Sequence, residues 1–331
     1  MRTDAVHASP PSNGRGPRVV HTGQALVDEV IEIPSLPARG QNVMASSVAD
    51  YAGGAVTVLL AAARLGADCV HAGAHGTGPH GDLIRATLAA DGIAVSAPPV
   101  ADRDTGVCVV LVEPSAERTF VTTLGAERDI TVESLATAEV RPGDLVCVTG
   151  YSLAVDQTRD PLLTWLDGIP ADAVVVLDPG AAFATLPPEV RDRMLGRTDV
   201  WTGNAEETAD LLAALSIAAP DAEREIVAHA EALRPALRER AVVIVRDGAE
   251  GCAFHADGES AYVPGYPQAA VDTNGAGDTH TGALLAGIAA GSGWADACRR
   301  ANAAAAIKVT RRGPTTAPTA DEVDAFLSSA P

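Results

Sequence analysis

The stretch DTNGAGDTHTGALLAGIAAG, residues 272–291, sets Gly275, Ala276 and Gly277 between Asn274 and Asp278 and follows them with a long run of small and apolar residues. Such a run predicts a helix beginning near Gly277 or Asp278. The first N–H groups of a helix have no intrahelical partners and carry the positive end of its dipole. Glycines at 275 and 277 permit positive φ and close approach, so the turn predicts a nest of N–H groups aimed at one oxyanion. A transferring phosphoryl group carries its charge on such oxygens. Asp278 then stands at the edge of the nest, where a carboxylate accepts the proton of an attacking hydroxyl. The helix dipole is expected to keep that carboxylate ionised. The bare motif also reads as an aspartate capping a helix behind a turn.

The rest of the chain narrows the setting. Its 331 residues, 47% hydrophobic, suffice for one large α/β domain or two modest ones. A formal net charge of −19 argues against nucleic acid or an anionic membrane as partner. It leaves room for a local phosphate pocket built from backbone N–H groups. Cys69, Cys108, Cys147, Cys252 and Cys298 are scattered and form no CxxC pair, which fits a reducing cytoplasm better than a zinc site or a disulfide framework. His71, His75 and His80 cluster loosely, but no Cys or acid completes a usual ligand set. No apolar run reaches membrane-spanning length. Residues 1–17 lack the apolar centre of a signal peptide and read as a disordered leader.

Along the chain, short β-branched runs alternate with Ala/Leu-rich segments. LVCVTG (145–150), AVVVLDPG (173–180), DVWTGN (199–204) and AVVIVRDG (241–248) read as strands, most ending at Gly, Asn or Asp. AVTVLLAAARLG (55–66) and DLIRATLAADG (82–92) read as helices. TGVCVVLVEPSAERTFVTT (105–123) reads as two strands around a turn with one solvated face. The alternation predicts a mostly parallel sheet covered on both faces, with ligands beyond the carboxyl ends of its strands.

DTNGAGD ahead of a small-residue helix resembles the DTxGAGD signature of the ribokinase-like (PfkB-type) carbohydrate kinases. The resemblance extends from about Val19 to Leu327. It implies a three-layer α/β sandwich over residues 18–331, with a mostly parallel central sheet and a small β lid formed by insertions at about 29–51 and 97–125. It also implies transfer of the γ-phosphoryl group of ATP to a hydroxyl of a sugar, sugar acid or related polyol. Asp278 would be the base, and Gly275, Ala276 and Gly277 the anion hole. Asp28 in GQALVDEV and the Gly53–Gly54 pair of AGGAVTVLLAAARLGA would hold the sugar, with Tyr151 after a strand end, where relatives keep substrate contacts. Asn204 and Glu207 in TGNAEET match the family's NxxE motif, organising Mg²⁺ through water. Arg246, Gly248 and Gly251 in VRDGAEG, with Asn302, would border the nucleotide. Asp272, Asn274 and the 309–314 segment would border a potassium site. The lid implies a homodimer. The sequence departs from the pattern at Ala55 and Val58, where many relatives place Lys and Asn, so the usual sugar pose loses two polar contacts.

Other readings remain. A nucleoside kinase of the same family would stack its base on aromatics, and the chain is 3% aromatic. A non-catalytic sugar or nucleotide sensor is the reading that the loss of Asn at position 58 leaves open. GTGPHG (76–81) is a formal GxGxxG, the mark of an NAD-dependent dehydrogenase, but it lies one βα unit too late and lacks a well-placed acid. Arg103 and Arg118 are candidates for holding a substrate phosphate, though arginines in such a lid more often face solvent.

Overall fold

Runs such as LVCVT, VVVLD and VVIVR are apolar at almost every position, so each needs cover on both faces. A computed structural model, which describes residues 16–115, 117–220, 222 and 224–329, provides it. The expected leader lies outside the described residues except for Gly16 and Pro17.

Thirteen strands occur among the described residues: β1 (Arg18–His21), β2 (Ala25–Glu32), β3 (Ser47–Gly54), β4 (Asp68–His71), β5 (Ala94–Val95), β6 (Val107–Val112), β7 (Arg118–Thr122), β8 (Leu145–Thr149), β9 (Val174–Asp178), β10 (Val200–Asn204), β11 (Val242–Arg246), β12 (Gly251–Ala256) and β13 (Glu259–Pro264). Nine form one sheet in the order β13-β12-β11-β10-β9-β8-β1-β4-β5. From β11 to β5 every pair is parallel, and β12 and β13 close the other edge as an antiparallel hairpin.

Successive residues of these strands enter opposite cores, as the strand period of two requires. Val19, Cys147, Val176 and Ile244 pack with the helices Ala55–Arg64, Ala276–Ala289 and Trp294–Lys308. Val20, Val146, Val175 and Val243 pack with Asp156–Gly168, Ala205–Ala214 and Glu225–Leu233. The result is the expected three-layer α/β sandwich. Val58 is 4% exposed and belongs to the first core.

A second sheet has the order β3-β2-β6-β7, with β2 and β6 parallel and the outer pairs antiparallel. It starts earlier than the insertions expected at 29–51 and 97–125, since β2 begins at Ala25 and β3 continues to Gly54. Residues 97–104 lie outside it. There the Asp104 carboxylate accepts the N–H groups of His80 and Gly81 and so caps the helix Pro79–Ala90. By register, Asp28, Tyr51 and Cys108 share one face of this sheet with Val30, Val110 and Phe120. Ile31, Val48, Val109, Leu111 and Val121 share the other.

Candidate active site

Beyond the carboxyl ends of β8 to β11 lies a cavity of about 600 Å³. Tyr151, Asp178, Asn204 and Arg246 line it as those strands end, and Ala276, Gly277 and Asp278 line it from the first turn of the helix Ala276–Ala289. This is the place where an open parallel sheet offers a ligand its loops and helix N-termini.

Gly275 caps that helix in the left-handed conformation, at φ 76°. A β-carbon there would also meet Thr57 at 3.0 Å and the Pro314 carbonyl at 3.1 Å. No side chain caps the helix, so its first-turn donors have no internal acceptor. One member of the expected anion hole behaves differently. The Ala276 N–H donates to the Thr273 carbonyl at 3.2 Å, which leaves Gly277 and Asp278 as the outward first-turn donors.

The Asp278 carboxyl departs from expectation. Burial, then the charge of Asp178, push its pKa up to about 7, with Asp28 and Glu207 adding to the rise and Arg246 opposing it. The helix dipole acts on it as predicted, but loss of water and three neighbouring acids outweigh one dipole. Burial also raises Asp28, to about 6.

Arg246 is the one arginine or lysine among the described residues lining the cavity. Its guanidinium donates to the Gly277 carbonyl at 3.0 Å and to the Thr281 hydroxyl at 2.9 Å. It lies 3.5 Å from Asp178 and 3.6 Å from Glu207. Thr281 in turn donates to Asp178 at 3.0 Å. Asp178, absent from the sequence reading, thus joins β9 to the helix that carries Asp278.

Asn204 and Glu207 make a capping box: the Asn204 side chain accepts the Glu207 N–H at 2.7 Å, and the Glu207 carboxylate accepts the Asn204 N–H at 2.8 Å. Both still line the cavity. Gly248 and Gly251 line it as well. Asn302 lines it but has its amide engaged. Its nitrogen donates to the Val263 and Pro264 carbonyls, both at 3.1 Å, and its oxygen meets His280 Nε2 at 3.1 Å. These bonds clamp β13 to the helix Trp294–Lys308. His280 was not foreseen. Tyr151 lies over Gly180 and lines the cavity with Asp178, Asn204 and Glu207, while Asp28 is not part of that lining.

Asp28 occupies the other side, on the small sheet. A β-carbon on Gly53 would lie 2.5 Å from its carboxylate, and one on Gly54 would lie 2.4 Å from the Gln24 carbonyl. Gly53 therefore leaves room for Asp28, and Gly54, at φ 61°, for the Gln24 carbonyl. Two ion pairs join the small sheet to the loops flanking the Gly275 turn: Arg118 to Asp272 at 2.7 Å, and Glu32 to Arg312 at 3.0 Å. Arg118 is thereby paired inward, not directed at solvent, and Arg103 pairs with Asp129 at 2.7 Å.

Behind the turn, Asp272 is saturated. One carboxylate oxygen accepts the Asn274 N–H at 2.9 Å and Arg118 at 2.7 Å; the other accepts the Gly313 N–H at 2.9 Å. The ammonium of Lys308, wholly buried, donates to the Asp272 carbonyl at 2.9 Å and lies 4.0 Å from its carboxylate. His71 and His75 are buried with ring centroids 6.5 Å apart, whereas His80 bonds the Thr105 carbonyl. Among the described residues no group of three His, Cys, Asp or Glu side chains is placed to hold a metal ion. Among them, too, no helix is long and apolar enough to cross a membrane.

An uncapped helix N-terminus and a buried carboxyl thus meet in one cavity at the carboxyl ends of a parallel sheet, and the relatives of the chain are phosphotransferases with an alcohol group as acceptor. The model of the pfkB family of carbohydrate kinases matches residues 18–321, and the chain belongs to that family. It is 32% identical over 308 residues to the uncharacterized sugar kinase YegV of Escherichia coli K12, covering 92% of each chain. It is 27% identical to the ribokinase of Bacillus subtilis, covering 92% of this chain and 98% of that one. The structure of Arabidopsis thaliana ribokinase complexed with ribose and ATP superposes with a TM-score of 0.77 at 24% identity, over 96% of this chain and all of that one.

Proposed function

We propose that this sugar kinase transfers the γ-phosphoryl group of ATP to a hydroxyl of a small carbohydrate, with Asp278 as the general base. The observation that carries the reading is the Asp278 carboxyl at the mouth of an uncapped helix, with a pKa of about 7. A group poised there holds little charge to spare when free, yet is basic enough to take a hydroxyl proton near neutral pH. The Gly277 and Asp278 N–H groups receive the phosphoryl oxygens, and Arg246, held on the Gly277 carbonyl, adds positive charge beside them. Asp28, set flush against Gly53, orients the acceptor, with the Gly53–Gly54 backbone at its side. Tyr151, Gly248, Gly251 and the apolar faces of the segment around Asn302 border the nucleotide.

The donor set fits magnesium held largely through water and phosphate oxygens. Glu207 and Asp178 offer hard carboxylate oxygens to the cavity, and such an ion would neutralise charge on the transferring group. The small sheet acts as a lid that excludes water as a competing acceptor. Its far face, with Val48 59% and Val121 57% exposed, supports a homodimer through the lid; light scattering that returns a monomer would remove that element. Five free, buried cysteines support a cytoplasmic setting.

The test is ADP release from Mg-ATP across sugars, sugar acids, sugar phosphates and nucleosides, with Asp278→Ala as control. One acceptor should stimulate release, and the variant should lose several powers of ten in kcat while still binding nucleotide. Near-normal turnover by Asp278→Ala would sink the mechanism. Stimulation by a nucleoside alone would move the substrate class.

A further inference from the structure

A wholly buried lysine needs a reason, because removing an ammonium from water is costly unless it is paired and hydrogen-bonded. Lys308 is the last residue of the helix Trp294–Lys308, and its ammonium enters a nest of oxygens. It donates to the Asp272 carbonyl at 2.9 Å, reaches the Arg311 carbonyl at 3.5 Å and lies 4.0 Å from the Asp272 carboxylate. These oxygens belong to the two segments that hold the Gly275 turn in place. The N–H groups of Val271 and Asp272 bond the Val309 carbonyl, the Gly313 N–H bonds Asp272, and the Pro314 carbonyl faces Gly275.

Two carbonyls and a carboxylate, converging on a point behind an anion-binding turn, are also what a potassium ion would take. The residues do not fit one here. The carbonyls already accept from Lys308. The Asp272 carboxylate offers about four lone-pair directions; three are filled by Arg118, Asn274 and Gly313, and the fourth faces the ammonium. Arg118 adds a second fixed positive charge. The helix C-terminus, whose dipole favours a cation, points the same way.

We propose that the Lys308 ammonium is a built-in cation at this site, so that the protein positions its anion-binding turn and carries out phosphotransfer without potassium. Lys308 is then a positioning residue: it touches no reacting atom, and acts by fixing the 272–275 and 309–314 segments and by placing positive charge behind the Gly277 donors. The effect on turnover rests on the kinase reading above; the effect on nucleotide binding does not.

The experiment compares sodium, potassium, ammonium and tetramethylammonium salts at equal ionic strength, for the wild type, Lys308→Met and Lys308→Ala. Two readouts are taken: the Tm shift produced by Mg-ATP, and turnover with any acceptor found. Wild-type values should agree across the cations to within about twofold. Lys308→Met, which keeps the stem volume and removes the charge, should lose about ten- to a hundredfold in kcat, with a smaller nucleotide shift and no rescue. Lys308→Ala leaves room for an ion of ammonium size, so potassium and ammonium should restore both readouts while tetramethylammonium does not. A merely structural lysine would show no such cation selectivity. Activation of the wild type by potassium, or a Lys308→Met protein equal to wild type, would overturn the proposal. Should both variants fail to fold, the wild-type Tm shift in sodium against potassium decides alone. A protein that binds nucleotide equally in both salts but phosphorylates nothing contradicts the kinase reading and leaves this one standing.

Discussion

Replacing Asp278 by Asn should abolish turnover and, at the same time, make the protein more stable above neutral pH. The wild-type carboxyl is displaced from an ordinary 3.8 to about 7 by burial and by the charges of Asp178, Asp28 and Glu207. From about pH 4 to pH 7 the folded chain retains a proton that the unfolded chain has released, so wild-type stability falls as pH rises; above about 7 both states are ionised and the penalty is complete. At ~1.36 kcal/mol per pH unit the ceiling on that penalty is roughly 4 kcal/mol. Asn never ionises, so its advantage should be small near pH 4 and reach a plateau above 7. Between about pH 5 and pH 8 the advantage should grow by at most roughly 2.7 kcal/mol, and by about 1–2 kcal/mol once water in the cavity screens the acids. Urea denaturation of both proteins at the two pH values measures this directly. Taking the difference between variants cancels the titration of every group that does not interact with Asp278. An advantage equal at both pH values, or larger at the lower one, would refute the account of Asp278 as a carboxyl held up by burial and acidic neighbours.

Three further outcomes follow from the same geometry. The logarithm of kcat/KM should fall with unit slope below about pH 7 and level off above it, because only the ionised Asp278 accepts a proton; a profile flat from about pH 6 to 8 contradicts this. Gly53→Ala should raise the KM for the carbohydrate about tenfold or more with the fold intact, since its β-carbon would stand 2.5 Å from the Asp28 carboxylate; an unchanged KM would remove Asp28 from the acceptor site. Gly282→Leu should cost about 2–4 kcal/mol in a denaturant titration, because a β-carbon there would lie 2.3 Å from the Val58 carbonyl; a shift under about 0.5 kcal/mol would mean the two helices part easily.

The sandwich was legible because its strands are apolar at nearly every position and end at residues that stop a strand. The Gly275 turn was legible because few other backbones need Gly-Ala-Gly ahead of a small-residue helix. What stayed hidden depends on groups far apart in sequence. The pKa of Asp278 is set first by burial and then by acids from β9, β2 and the helix after β10, and no local pattern announces that sum. Asp178 was within reach, as the last residue of a strand ending in Asp-Pro-Gly. Lys308 was not: in AAAAIKVT it looks like an ordinary lysine in the last turn of a helix, and only the Asp272 loop folded over it shows that it is enclosed. The amide of Asn302 is committed to Val263, Pro264 and His280, partners that lie 22 to 39 residues away in the chain. Val58 explains its own departure from the family pattern, since it points into the core.

The parallel pairing of β2 with β6 has a consequence for how the molecule is made. Val27 and Val107, partners in that ladder, are separated by eighty residues and by two strands of the main sheet. Neither half of the small sheet can close this ladder until β1, β4 and their helices have brought both halves to the same edge, so loop-closure entropy delays it. The small sheet is therefore expected to be among the last parts to form and among the first to open, tied to the body by Arg118 and Glu32. Its amides should exchange with solvent faster than those of β8 and β9 even in the fully folded protein.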